Sequence, residues 1–240
     1  MITIKNLTKS FGSKKVLKNV DIEINMGETM VIMGASGTGK SVLLKLIIGL
    51  LEPDNGNIWI KDRDITGLSS NEMDEIRKKL GMVFQFAALF DSLTVRENIG
   101  FSLSRHTGLS RNKIDEMVAE KLNMVGLPGI EDVMPSDLSG GMKKRVSLAR
   151  AISMDPEIIL YDEPTTGLDP LAADDINNLI NKLHEQLKVT SIVVTHDMKS
   201  AFFVATRMAM IKDGQIIFTG TPDEIRQADH PWVKEFISFF

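Results

Sequence analysis

A chain of 240 residues that is 43% hydrophobic and 25% charged has the make-up of one large folded domain with room for an inserted subdomain. Its net charge of −4 argues against a general nucleic-acid binder, and the absence of cysteine excludes disulfides and thiolate metal sites. Met1 leads straight into an alternating pattern rather than a signal peptide, and the longest apolar stretch, Val42 to Leu51, is interrupted by Lys45 and Gly49. The sequence therefore reads as soluble or peripheral, with any membrane role exerted through a partner.

In chain order, Ile2-Thr3-Ile4 and Val20 to Ile24 alternate apolar and polar residues as half-buried antiparallel strands do, with a turn centred on Phe11 between them. Thr29 to Met33 reads as a short buried strand and Val42 to Ile48 as a helix. Between them, Gly34-Ala35-Ser36-Gly37-Thr38-Gly39-Lys40-Ser41 fits the phosphate-loop pattern G-x-x-x-x-G-K-[ST] without a mismatch. Gly34, Gly37 and Gly39 allow close backbone approach. Loop amides, including those of Ser36 and Thr38, then face the phosphates. Lys40 reaches the β- and γ-phosphates and the Ser41 hydroxyl takes a Mg2+ position.

Glu52 to Gly56 is a turn, Asn57 to Ile60 a strand, and Ser69-x-x-Glu72 a capping box opening a helix that ends at Gly81. Met82 to Gln85 is a short strand. From Phe86 to about Ala151 the periodicity is helical, with one helix beginning at Ser110 and stopping near Gly126. Strand Glu157 to Tyr161, helix Ala172 to Leu187, strand Thr190 to Thr195, helix Met198 to Ala205 and strands Arg207 to Ile211 and Gln215 to Thr219 follow. Thr221-Pro222-Asp223-Glu224 starts a last helix. Trp232, Val233, Phe236, Ile237 and Phe240 share helical spacing, so the tail carries an apolar stripe that covers the core or docks on a partner.

Ile158 to Glu163 is a hydrophobic strand run ending in two carboxylates. With a phosphate loop upstream, Asp162 suits the Mg2+ shell and Glu163 suits deprotonation of the attacking water. Leu138-Ser139-Gly140-Gly141-Met142 precedes a helix and makes a second anion-binding helix start.

Here the chain resembles the ATP-binding cassette (ABC) family, whose signature is a Leu-Ser-Gly-Gly tetrapeptide at this place. The resemblance covers nearly the whole chain and implies the α/β P-loop NTPase fold of that family. Residues 1–85 and 152–240 would form the core with an antiparallel β subdomain, and 86–151 an inserted helical subdomain. It also implies ATP and Mg2+ as ligands and a homodimer in which Ser139, Gly140 and Gly141 contact the γ-phosphate of ATP held by a second copy. Phe11 matches the aromatic that stacks on adenine, with a core phenylalanine as the alternative. Gln85 matches the glutamine that senses Mg2+ and water, Asp169 the loop crossing the dimer interface, and His196 the histidine bonded to the γ-phosphate. Met142-Lys143-Lys144-Arg145 departs from the glutamine that usually follows the signature. With Phe86 to Ile99, it looks like the cassette of lipid-trafficking systems of the Mla (MCE-associated) type. That implies an integral-membrane permease, an MCE-domain protein, phospholipid as cargo, no nucleic acid, and a peripheral place on the cytoplasmic face of the inner membrane. The stretch between Ser41 and Leu138 is too short for the coiled coil of DNA-repair cassettes. A soluble non-transport cassette of the iron–sulfur assembly kind, or a transporter subunit for another substrate, stays open.

Overall fold

The structure is a computed structural model that describes residues 2–238. Strands β1 (Ile2–Phe11), β2 (Lys14–Ile24) and β3 (Thr29–Met33) lead into helix α1 (Lys40–Ile47), strands β4 (Asn55–Ile60) and β5 (Arg63–Asp64), and helix α2 (Ser70–Arg77). Strand β6 (Leu80–Val83) precedes helices α3 (Val95–His106), α4 (Arg111–Met124) and α5 (Gly140–Ala151). Strand β7 (Ile158–Asp162), helix α6 (Pro170–Leu187), strand β8 (Thr190–Thr195) and helix α7 (Met198–Val204) come next. Strands β9 (Arg207–Lys212) and β10 (Gln215–Gly220) and helices α8 (Pro222–Arg226) and α9 (Pro231–Ser238) complete the order. Phe240, which the sequence assigns to the apolar tail, lies outside the described residues, as do Met1 and Phe239. The chain divides into two compact units, Arg77–Val189 and the residues on either side of it.

In the flanking unit, β2, β1, β4 and β5 form an antiparallel sheet in that order. Val20, Ile22 and Ile24 are buried while Asp21 and Glu23 face water, the alternation expected of a sheet with one solvated face. The strand pair runs much further than its short alternating runs suggest, to Phe11 opposite Lys14, with register shifts along β1. At one of these, Asn6 takes φ 50° and its amide donates to Asp21 Oδ1 at 2.8 Å. The bulge crowds Gly56 on β4, where a Cβ would stand 2.4 Å from the Asn6 carbonyl oxygen. The second sheet segment, β10-β9-β3-β8, is different in kind. Strand β3 pairs in parallel with both β8 and β9, and all five of its residues are buried. A continuous apolar run is what a parallel strand covered on both faces requires.

In the central unit, β6 pairs in parallel with β7, from Leu80 opposite Ile158 to Val83 opposite Tyr161. Helices α3, α4 and α5 bury Val95, Ile99, Leu103, Val118, Leu122 and Val146. Asn98, fully buried, accepts from the Phe90 amide and donates to the carbonyls of Phe90, Leu93 and Thr94. One side chain thereby replaces the backbone bonds a loop lacks.

Helix α2 stops at Arg77, and Gly81 is a strand residue rather than a helix stop. It is a glycine because a Cβ there would lie 2.5 Å from the carbonyl oxygen of Ala151, at the end of α5. Gln85 lies two residues past its strand, in a loop. Helix α6 begins earlier than its apolar periodicity indicates, because Asp169 caps it and Pro170 fills its first turn.

The crowding at Gly56 is testable by comparison with Gly67, which also has positive φ but where a Cβ would meet nothing within 4 Å. Gly56→Ala is expected to cost about 3 kcal/mol in urea unfolding, and Gly67→Ala about 1–2 kcal/mol from backbone strain alone.

Candidate nucleotide site

The candidate residues fall into two groups, one in each compact unit. The first follows β3. Gly34 is buried, and a Cβ on it would meet the Ile211 carbonyl oxygen of β9 at 2.3 Å. Gly39 has φ 104° and a Cβ there would meet Leu17 Cδ2 of β2 at 2.7 Å. Ala35, Ser36 and Gly37 are exposed between these anchors, so the crest of the loop faces solvent with its ends held. Gly39 is the N-cap of α1 and supplies no side-chain cap. The first-turn amides of such a helix are the kind of donors that an anion satisfies.

Lys40 is buried, and its ammonium donates to the carbonyls of Gly34 at 2.8 Å and Ala35 at 3.1 Å. Thr38 Oγ1 donates to the Ala35 carbonyl at 2.9 Å. The loop is thus curled around the cation that would meet a phosphate. Ser41 is the second residue of α1. His196 belongs with this group, because Met33 pairs with Thr195 and so Gly34 and His196 each follow the end of adjacent parallel strands. His196 is exposed, and Asp197 after it caps α7 through the amides of Lys199 and Ser200. Phe11 is 47% exposed, with the Lys9 ammonium 5.6 Å from its ring centre, so it is not a core phenylalanine. Its hairpin touches the phosphate loop through Val16 and Leu17 against Gly39.

The second group lies in the central unit. Asp162 ends β7, Glu163 follows it, and both are buried, at 6% and 7% exposure. Glu163 takes φ 48°, left-handed backbone that costs a side-chain-bearing residue about 1–3 kcal/mol and recurs at functional sites. Thr166 supports it, donating its amide to the Glu163 carbonyl at 3.2 Å and its hydroxyl to Glu163 Oε2 at 3.3 Å. Because Val83 pairs with Tyr161, Gln85 and Glu163 both stand two residues beyond paired strand ends. The Lys144 ammonium joins them, donating to the Gln85 carbonyl at 2.5 Å and the Glu163 carbonyl at 3.3 Å. Burial pulls the Lys144 ammonium below the usual lysine range, against the opposing attraction of Asp162 and Glu163.

Ser139 caps α5, its hydroxyl oxygen accepting from the Met142 amide at 3.3 Å. A hydroxyl in that role keeps its own hydrogen for a further acceptor. Ser139 and Gly140 are exposed, and a Cβ on Gly140 would come within 3.8 Å of Leu168, one residue before Asp169. Asp169 Oδ1 accepts from the amides of Leu171 and Ala172, so it is at minimum a helix cap.

The family model for the ABC transporter matches residues 17–166, which spans the phosphate loop, Gln85, the signature and the paired carboxylates. The chain belongs to the ABC transporter family. The cassette is the ATP-binding, ATP-hydrolysing subunit of such a transporter. It is 42% identical over 237 residues to the intermembrane phospholipid transport system ATP-binding protein MlaF of Haemophilus influenzae, covering 99% of this chain and 90% of that one. It is 43% identical over 253 residues to the chloroplastic protein TRIGALACTOSYLDIACYLGLYCEROL 3 of Arabidopsis thaliana, covering 98% and 73%. A solved ATP-binding cassette, a dimer in a post-hydrolysis state bound to ADP and Pi, superposes with a TM-score of 0.85 at 36% identity, covering 92% and 98%. The α/β fold with its antiparallel sheet is therefore that of ABC cassettes.

Residue type alone does not single out Lys144 or Thr166. The available signal for Lys144 is its position: it falls on the helix face shared with Ser147, Leu148 and Ala151, where a lysine is buried only with a purpose. For Lys40 the geometry sets a magnitude. Lys40→Met is expected to weaken ATP binding about 10- to 100-fold, the value of charge-assisted bonds to phosphate, in a fluorescent-nucleotide titration.

Proposed function

We propose that the cassette works as a homodimer that closes around two ATP-Mg2+ and drives a separate membrane permease moving phospholipid. Lys40 and the loop amides would hold the β- and γ-phosphates, and Ser139 to Gly141 of a second copy would approach the γ-phosphate from the other side. Phe11 would lie against the adenine, and Asp169 would meet the partner at the interface. A water oxygen attacks the γ-phosphorus as the bond to the β–γ bridging oxygen breaks, and Glu163 takes the water's proton, leaving ADP and phosphate. Gln85 and His196 would orient the water and the γ-phosphate. Loss of the γ-phosphate removes the contacts that bridge the two copies and lets them part.

The proposed donors are of the chemical kind that Mg2+ takes. The Ser41 hydroxyl at the start of α1 and the buried Asp162 carboxylate are hard oxygen ligands, and Mg2+ takes one or two of these and fills the rest of its shell with phosphate oxygens and water. When bound, it would neutralise charge on the transferring phosphoryl group.

The buried carboxylate pair at the end of β7 is the observation that carries hydrolysis. For phospholipid as cargo, the support is the likeness, over 99% of this chain and 90% of that one, to MlaF, a protein named for intermembrane phospholipid transport. Among the described residues no helix is long and apolar enough to cross a membrane, in keeping with a separate permease subunit. Phe86, 83% exposed, and Phe90, 45% exposed, offer that subunit an aromatic surface beside Gln85. An MCE-domain lipid-binding protein would complete the assembly, with the cassette itself at the cytoplasmic face of the inner membrane.

Glu163→Gln is expected to bind ATP like the parent chain while turnover falls by about a thousandfold or more, measured as phosphate release; wild-type turnover in that variant would remove Glu163 from its role. Affinity capture of the tagged chain from native membranes in mild detergent tests the cargo. A multi-span permease, an MCE-domain protein and phospholipid are the expected co-purifying species, whereas an exclusively soluble partner set would place the cassette outside transport.

A further inference from the structure

Helix α5 begins at the signature and carries Lys144, Ser147 and Arg150 at helical spacing on one side. Each of these side chains donates to main-chain carbonyls rather than to carboxylates. Lys144, 5% exposed, holds Gln85 and Glu163. Ser147 Oγ donates to the Ala87 carbonyl at 3.0 Å. The Arg150 guanidinium donates to Ala88 at 2.6 Å and Ala87 at 2.8 Å.

The carbonyls chosen are not arbitrary. Ala87, Ala88 and Glu163 all occupy left-handed backbone, at φ 61°, 49° and 48°, which residues with a side chain rarely adopt without support. In each case the carbonyl of the strained residue is held by a donor from α5. The Gln85 loop and the main chain of Glu163 are therefore both gripped from one helix, and Lys144 is the side chain that reaches both.

We propose that Lys144 is a positioning residue for ATP hydrolysis, tying the signature helix to the Gln85 loop and to the backbone of the Glu163 base. Its ammonium donates to main-chain carbonyls. Its effect passes through the orientation of Gln85 and Glu163, so a shift of α5 when Ser139 meets a γ-phosphate would move both. The proposal rests on the hydrolytic role of Glu163 given above.

The test is the separation of kcat from KM in steady-state ATP hydrolysis by the full chain, with thermal melting to confirm folding. Lys144→Met keeps the buried stem and removes the donors; kcat is expected to fall at least about tenfold while KM for ATP stays within about twofold. Lys144→Gln keeps shorter donors and is expected to fall between, at about a threefold loss in kcat with KM unchanged. A kcat for either folded variant equal to the parent's overturns the proposal, as does a loss carried mainly by KM. If Lys144→Met does not fold, Lys144→Gln decides by the same numbers. Glu163→Gln run alongside separates the two readings. An inactive Glu163→Gln with fully active Lys144 variants removes Lys144 alone, whereas an active Glu163→Gln removes the role of Glu163 on which Lys144 depends.

Discussion

The phosphate loop is held by contact between its backbone and the strands beside it, and the shape needed to receive a phosphate depends on that contact. At Gly34 the carbonyl of Ile211 leaves no room for a methyl group, and at Gly39 Leu17 and Val16 leave almost none. The glycines at these ends are required by neighbours distant in sequence, not only by torsion. Between them lie the exposed crest and the buried Lys40, whose ammonium donates to the Gly34 and Ala35 carbonyls and so holds the loop in its curled shape.

A similar constraint governs the carboxylate side. Asp162 and Glu163 are buried at the end of a strand whose other residues are apolar, and such charges need compensation. Lys144 supplies positive charge close by, although its hydrogen bonds go to the carbonyls of Gln85 and Glu163. The Glu163 main chain is then fixed in a left-handed turn by Lys144 and Thr166, and its side chain projects from a backbone that has little freedom. Packing, hydrogen bonding and the chemistry proposed for Glu163 are here the same arrangement seen at different scales.

Local patterns make much of this legible. The phosphate loop, the run into Asp162 and Glu163, and the capping boxes at Ser69 and Thr221 are short-range signals, since a cap or a glycine turn is decided within a few residues. Long-range contacts are harder to read. Gly81 resembles a helix stop in sequence, but its lack of a side chain answers to the Ala151 carbonyl, far along the chain. The hairpin of β1 and β2 extends past the alternating run because bulges at Asn6 and Asn19 break the period that would have announced it. Lys144 stands in a basic run, and only its place on the face shared with Ser147, Leu148 and Ala151 separates an ammonium that grips two carbonyls from one that solvates.

Central to the proposed cycle is ATP bound between two copies of the chain, each supplying what the other lacks. Light scattering of Glu163→Gln, with ATP and Mg2+ and separately with ADP, tests this most directly. Twice the mass of the chain is expected with ATP and the mass of a single chain with ADP. A single-chain mass in both, with ATP shown to be bound, would contradict it.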